Sequence, residues 1–322
     1  MKHWIQAARL RTLPLSVSGI LVGCFYAMSQ SLFNWDIVIY SLTTTLGLQV
    51  LSNFANDYGD GVKGTDNQDR IGPKRAIQSG VISVSSMKKA IVITSILTLL
   101  SAILLIYTAF KDHNLLYSLG YLALGILAIS SAIRYTVGKN PYGYRGFGDL
   151  FVFLFFGWVS TLGVYFMFAK TFAEGYLLFL PATAIGFLSV AVLNLNNMRD
   201  VLSDTQSGKN TLVVQMGLPK AKLYHYFLVI SSMILVFIFA VLNDISTDGL
   251  FNFDQYFFLI AFVPLVLHLQ RVHQNQDSRT LDPELKIVAL STFSLALLLS
   301  LGLIYIAFGC VCLEILDVSG LS

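Results

Sequence analysis

Stretches long enough to cross a bilayer, and free of any charged residue, recur along this chain and confine it to lipid. They occupy residues 12–35, 37–56, 90–110, 114–133, 150–169, 175–198, 223–243 and 287–313, with a shorter one at 255–270 that extends back past Asp254. A transmembrane helix needs roughly 20 apolar residues, so the expected fold is an all-α polytopic membrane protein with nine transmembrane helices. Charged residues make up only 12% of the chain, against about 25% in soluble domains. The first run is too long for the apolar core of a cleavable signal peptide and lacks a cleavage site. One intramembrane domain over 1–322 is expected, embedded in the lipid bilayer, with no nucleic-acid partner and no obligatory protein partner.

Basic residues set the orientation. With the N-terminus in the cytoplasm, every Lys and Arg except Lys111 and Lys170 falls on the cytoplasmic side. Miscounting one internal helix would destroy that separation. The expected location is therefore the cell (inner) membrane, multi-pass, with cytoplasmic cap loops at about 57–89, 134–149, 199–222 and 271–286. Arg9 and Arg11 suit topological anchoring, as do His268, Arg271 and His273 near the end of the eighth span. Cys24, Cys310 and Cys312 lie in or beside apolar runs and fit buried small hydrophobes better than metal ligands.

Against this background the end of the second span stands out. Asn53, Asn56, Asp57 and Asp60 follow one another at i, i+3, i+4 and i+7, one face of a helix. Ionisable groups at a membrane edge are costly and point into a protein interior or a wet cavity. The sixth span ends the same way, with Asn196, Asp200 and Asp204 at i, i+4 and i+8. One offset separates Asn53 from Asn196 and Asp57 from Asp200, and the step from Asp60 to Asp204 is one residue longer. An internal repeat of a four-helix unit accounts for this, with both acidic clusters facing a central cavity open to the cytoplasmic side. Between them, the loop from Arg134 to Asp149 interleaves Tyr135, Tyr142 and Tyr144 with Lys139, Arg145 and several glycines, as a ligand-facing lid would.

Carboxylates that converge must be neutralised by cations. Asn and Asp offer hard oxygen ligands suited to Mg²⁺, which binds a few carboxylates together with substrate phosphate oxygens. Lys63, Arg70, Lys74, Arg75, Lys139, Arg145 and Lys209 stand around the acids and suit the remaining phosphate charge. An apolar bundle beneath could hold a hydrocarbon tail. A head of diphosphate at the surface and a lipid chain in the membrane describe a polyprenyl diphosphate.

The pairing of Asn53 and Asn56-Asp57-x-x-Asp60 with Asp200-x-x-x-Asp204 resembles the intramembrane aromatic prenyltransferase superfamily. Finer features resemble its 1,4-dihydroxy-2-naphthoate polyprenyltransferase branch in menaquinone biosynthesis: the run from Asn56 to Asp66, Asp69 to Pro73, Gln78-Ser-Gly80, Pro141 to Tyr144 with Gly148-Asp149, and Arg199-Asp200 through Gly208-Lys209. The resemblance covers about Trp4 to Cys310. It implies Mg²⁺-assisted ionisation of an allylic diphosphate, attack by the ring carbon of 1,4-dihydroxy-2-naphthoate, and loss of CO₂ and a proton on the way to demethylmenaquinone. Asn53, Asp57, Asp60, Asp200 and Asp204 are the expected metal ligands, and Lys63, Arg70 and Lys209 the diphosphate ligands. Asp66 or Asp69 would orient a cation or act on the acceptor's phenol proton. Arg11, Tyr135 and Lys139 are the expected contacts of the acceptor carboxylate. The same chemistry on 4-hydroxybenzoate, a chlorin or haem is an alternative. An ion-coupled transporter is a second, although its polar residues would be expected near the membrane midplane.

Overall fold

The computed structural model describes residues 2–65, 75–113, 115–247 and 253–319; for residues 11, 246–247, 253–255 and 305–319 only the backbone is described. All regular structure among these residues is helical, as lipid requires, because an intra-segment hydrogen-bond ladder leaves no backbone group facing hydrocarbon. Helix α1 (Lys2–Ala8) meets α2 (Leu13–Ser29) at a bend of 55°, turned by Arg9 in the left-handed region (φ 52°). Then follow α3 (Trp35–Lys63), α4 (Val84–Phe110), α5 (Leu115–Arg134) and α6 (Gly148–Ala169). The second half comprises α7 (Phe179–Arg199), the short α8 (Val201–Gln206), α9 (Leu212–Thr247), α10 (Phe262–Gln274) and α11 (Asp282–Ser319). Among the described residues eight helices are long and apolar enough to cross a membrane, and the bent α1–α2 pair makes a ninth. That matches the count from charge alternation.

Several boundaries differ from the sequence reading, for one reason. An apolar run marks the part of a helix that touches lipid, whereas the backbone ladder continues past it. The first motif is thus not in a loop: α3 carries Asp57, Asp60 and Lys63 as helix and ends at Gly64 (φ 71°). The cap expected at 57–89 is helical again from Val84, with Ser83 accepting the Ser86 N–H. Most of the cap expected at 199–222 is likewise helix, in α8 and α9, broken at Gly217 (φ 78°) just before Pro219. The cap at 271–286 shrinks to a few residues between α10 and α11. The eighth span begins as a 3₁₀-helix (Phe253–Ala261) before turning α-helical.

The middle of α6, Phe153–Gly163, is π-helical, a form concentrated at functional sites. Its outer side packs tightly on glycines. A Cβ at Gly23 of α2 would lie 2.5 Å from the Thr161 carbonyl oxygen, and one at Gly157 would lie 2.7 Å from that of Ala182 in α7. Small residues let membrane helices approach by dispersion and polar contacts, lipid supplying no hydrophobic drive between them. The inner side of the π segment lines a cavity of about 300 Å³ with α2, α3, α4 and α5.

Candidate active site

The two acidic motifs meet at one end of the bundle. On α3, Asn53, Asp57 and Asp60 are all buried, on the face their spacing dictated. Each has work within the protein. Asn53 Nδ2 donates to the Ala8 carbonyl (2.8 Å) and to Thr12 Oγ1 (3.3 Å), fixing the bend between α1 and α2. The Asp57 carboxylate accepts the N–H groups of Ala76 (3.1 Å) and Ile77 (3.3 Å), holding the chain that returns toward α4. Asp60 accepts from Arg75 Nη1 (2.6 Å) and from the Tyr144 hydroxyl (2.5 Å).

Tyr144 is the hub. Its ring carries Lys63 Nζ 4.5 Å from the centroid and Lys209 Nζ at 5.5 Å, a cation–π arrangement. Its hydroxyl also pairs with Thr65 Oγ1 (3.0 Å), and its carbonyl accepts the Asn210 N–H (3.0 Å). Burial, with the Asp60 charge beside it, drives the Tyr144 phenol far above its usual range, so it remains a donor. Lys209 Nζ reaches Asp204 Oδ1 at 3.4 Å. The path Asp60–Tyr144–Lys209–Asp204 therefore joins the motifs, and the Asp60 and Asp204 charges act on one another.

In the second motif, α7 ends at Arg199 and α8 starts at Val201, but the Asp200 N–H still bonds to the Asn196 carbonyl (3.1 Å) and the Asp204 N–H to that of Asp200 (2.9 Å). The helical register thus survives the break, and Asp200 and Asp204 are both buried. Asp200 accepts Arg199 Nε (2.8 Å) and Nη2 (2.6 Å) on its two oxygens. Asp204 is the exception: its Oδ2 is buried without a hydrogen-bond partner. Burial, reinforced by the charges of Asp200 and Asp60 and opposed by Lys209, pushes its carboxyl up to about 6. A buried carboxylate with an orphaned oxygen beside two further acids calls for a cation. Among the described residues no three acids, histidines or cysteines close into a cage for a metal ion. The donor set fits an ion such as Mg²⁺ that takes few protein oxygens and completes its shell with phosphate and water.

Two cavities flank this junction. The apolar one runs from Asn53 and Asn56 past Tyr135, Tyr142 and Phe155 to Met167. The other, about 320 Å³, is polar and lined by Lys63, Lys139, Arg145, Thr65, Tyr144 and Gly208. The expected acceptor contacts are therefore divided: half-buried Tyr135 lines the apolar cavity, exposed Lys139 the basic one. Asp66, Asp69 and Arg70 lie outside the described residues, as does the side chain of Arg11. Lys63 donates to the Thr136 carbonyl (2.9 Å) at the rim of the basic cavity. The sequence grouped Arg75 with the phosphate-facing cations and Tyr144 with the lid, but gave no sign that both hold Asp60; one hydroxyl among three tyrosines in a loop carries no address for a partner 84 residues away.

The profile of the UbiA prenyltransferase family matches residues 16–295. The chain belongs to that family. Among curated UbiA relatives, the 1,4-dihydroxy-2-naphthoate octaprenyltransferase of Escherichia coli K12 is 42% identical over 93% of this chain and 94% of its own length. The protein of the same description from Haemophilus influenzae is 39% identical, over 94% and 96%. UbiA homologues of known structure share the fold. One from Aeropyrum pernix K1 superposes with a TM-score of 0.61 at 16% identity, over 92% of this chain and 98% of that one. One from Archaeoglobus fulgidus, bound to DMAPP and Mg²⁺, gives 0.60 at 13%, over 92% and 99%.

In this UbiA chain Gly59 sets how closely α3 meets the lid. A Cβ there would stand 2.6 Å from Thr136 Oγ1 and 2.8 Å from the Thr136 carbonyl carbon. Gly59→Val must push away the residue whose carbonyl holds Lys63. The expected result is a loss of about 1–3 kcal/mol with a fall in turnover, checked by thermal unfolding in detergent beside a prenyl-transfer assay.

Proposed function

We propose that the chain transfers a polyprenyl group from polyprenyl diphosphate to 1,4-dihydroxy-2-naphthoate, with Mg²⁺ as cofactor and with loss of diphosphate and CO₂, on the way to demethylmenaquinone. The observation that carries this reading is the unpartnered buried oxygen of Asp204 at the junction of two acidic motifs, between a basic cavity and an apolar one. The descriptions of the two curated relatives support the acceptor, and the DMAPP- and Mg²⁺-bound homologue supports the metal.

Asn53, Asp57, Asp60, Asp200 and Asp204 are the residues that would hold such a metal, beginning with the unpartnered Oδ2 of Asp204. Mg²⁺ there would supply Lewis-acid neutralisation of the leaving diphosphate. Lys63 and Lys209, parked on the Tyr144 ring, turn to the phosphate oxygens, with Arg70 assigned to the same head from its place in the sequence. The prenyl tail lies in the apolar cavity. As the carbon–oxygen bond breaks, the faces of Tyr135, Tyr142 and Phe155 stabilise the allylic cation, and the apolar wall keeps water from capturing it. The acceptor ring enters beside Tyr135, its carboxylate drawn by Lys139 and Arg11, and the new carbon–carbon bond forms as CO₂ leaves. The motif end faces the cytoplasm of an inner-membrane protein whose N-terminus is cytoplasmic, and the whole chain acts as one domain.

Product mass spectrometry with purified protein tests this. Dihydroxynaphthoate should yield a decarboxylated prenyl adduct only with divalent metal present, and should outcompete 4-hydroxybenzoate. Preference for another acceptor, or transfer undiminished by a chelator, would remove the assignment.

A further inference from the structure

Arg199 is 2% exposed, and a buried guanidinium must be given acceptors. Nε and Nη2 take both oxygens of Asp200, Nη2 also reaches Asn196 Oδ1 (2.8 Å), and Nη1 bonds to Asp282 Oδ1. Asp282 is the first residue of α11, more than 80 residues from Asp200 in sequence, and no part of either motif.

Charge bookkeeping shows what the third member does. Asp200 paired with Arg199 alone is a neutral unit with little pull on a cation. Asp282 shares the guanidinium and returns a net negative charge to the cluster, so that Asp200 keeps charge to offer. The placement is rigid. The carboxylate of Asp282 sits at the positive end of the α11 dipole. Two residues on, Glu284 accepts Arg271 Nε (2.6 Å) and pairs with His268 Nδ1 (2.5 Å) of α10. His268 Nε2 meets His225 Nε2 of α9 at 2.7 Å. The opening turn of α11 is thus bolted to α9 and α10 through Glu284 and delivers Asp282 to the second acidic motif.

We propose that Asp282 is a positioning residue: through Arg199 it holds the Asp200 carboxylate in place and preserves its charge for a divalent cation. This rests on the reading that Asp200 serves the metal. Asp282→Asn keeps an acceptor for Arg199 and removes only the charge. In the purified full-length protein, Mn²⁺ binding in the presence of inorganic diphosphate, followed by electron paramagnetic resonance, should weaken about 10-fold. The Mg²⁺ concentration for half-maximal turnover should rise by the same factor, with kcat at saturating Mg²⁺ little changed. Asp282→Glu should restore both. Glu284→Gln, which loosens the same turn but leaves the Asp282 charge in place, should lower the unfolding temperature and weaken Mn²⁺ binding by less than Asp282→Asn does. Wild-type Mn²⁺ binding in Asp282→Asn, with loss in Asp200→Asn, would overturn the inference and leave the site reading standing, as would failure of Asp282→Glu to rescue. Wild-type Mn²⁺ binding in Asp200→Asn would remove the metal reading of Asp200 and the inference with it.

Discussion

Asp204→Asn is expected to reduce prenyl transfer on the order of 10³-fold, the scale of removing several kcal/mol of charge stabilisation, while making the metal-free protein more stable at pH 7. Both effects follow from one carboxylate. Asp204 is buried with Oδ2 unpartnered, and its carboxyl is pushed from 3.8 up to about 6. A folded value above the unfolded one means that the native state holds the proton more tightly. The associated stability is fully present below about pH 4 and is lost as pH rises through 6. At pH 7 the ionised group therefore burdens the metal-free fold, and the amide, being neutral, removes that burden. Lys209 keeps the Tyr144 ring and the Asp60 charge as surroundings. Thermal unfolding in detergent with chelator should show the wild type gaining stability between pH 7 and pH 4 and the variant gaining less.

Asp60→Ala should behave in the opposite sense. Asp60 is buried and holds both Arg75 and Tyr144, so its removal takes the carboxylate from a partly buried guanidinium, which keeps the Asn56 carbonyl (2.7 Å), and from a phenol, which keeps Thr65 Oγ1 (3.0 Å). Breaking a buried pair by deleting one partner costs about 3–5 kcal/mol. The variant is expected to unfold at markedly lower temperature at every pH and to lose activity with the fold of the lid. Asp60→Asn, which retains an acceptor for Tyr144, should recover part of the stability and little of the turnover. Two acids of one site would then be separated by the sign of their effect on stability, one holding the scaffold and the other strained for function.

Much of this was legible in the sequence because lipid allows few solutions. Recurring uncharged runs, with every Lys and Arg but Lys111 and Lys170 assigned to one side, leave a helical bundle with nine crossings. The helical spacing of Asn53, Asp57 and Asp60 showed which face would turn inward. What escaped was pairing. Residues adjacent on a regular helix do not face each other, so Arg199 and Asp200 gave no sign of a forked ion pair. The fork forms because Asp200 sits at the break between α7 and α8, with φ −95° and ψ 9°. Nor did His225 and His268 announce themselves. His268 suggested only an anchor, whereas burial between α9, α10 and α11 pairs it with His225 and Glu284. The π-helical wall of α6 has no sequence signature, since its residues Phe153 to Gly163 continue an ordinary apolar run.

The central claim is that the ends of α3 and α7 share one metal-bound diphosphate, and anomalous diffraction from crystals grown with Mn²⁺ and a non-hydrolysable prenyl thiodiphosphate tests it most directly. The account predicts a manganese peak between the Asp57–Asp60 and Asp200–Asp204 carboxylates, in contact with Asp204 Oδ2, with the diphosphate on Lys63 and Lys209 and the tail in the cavity bounded by Phe155 and Met167. Manganese bound by one motif alone, or a diphosphate seated away from both, would contradict it.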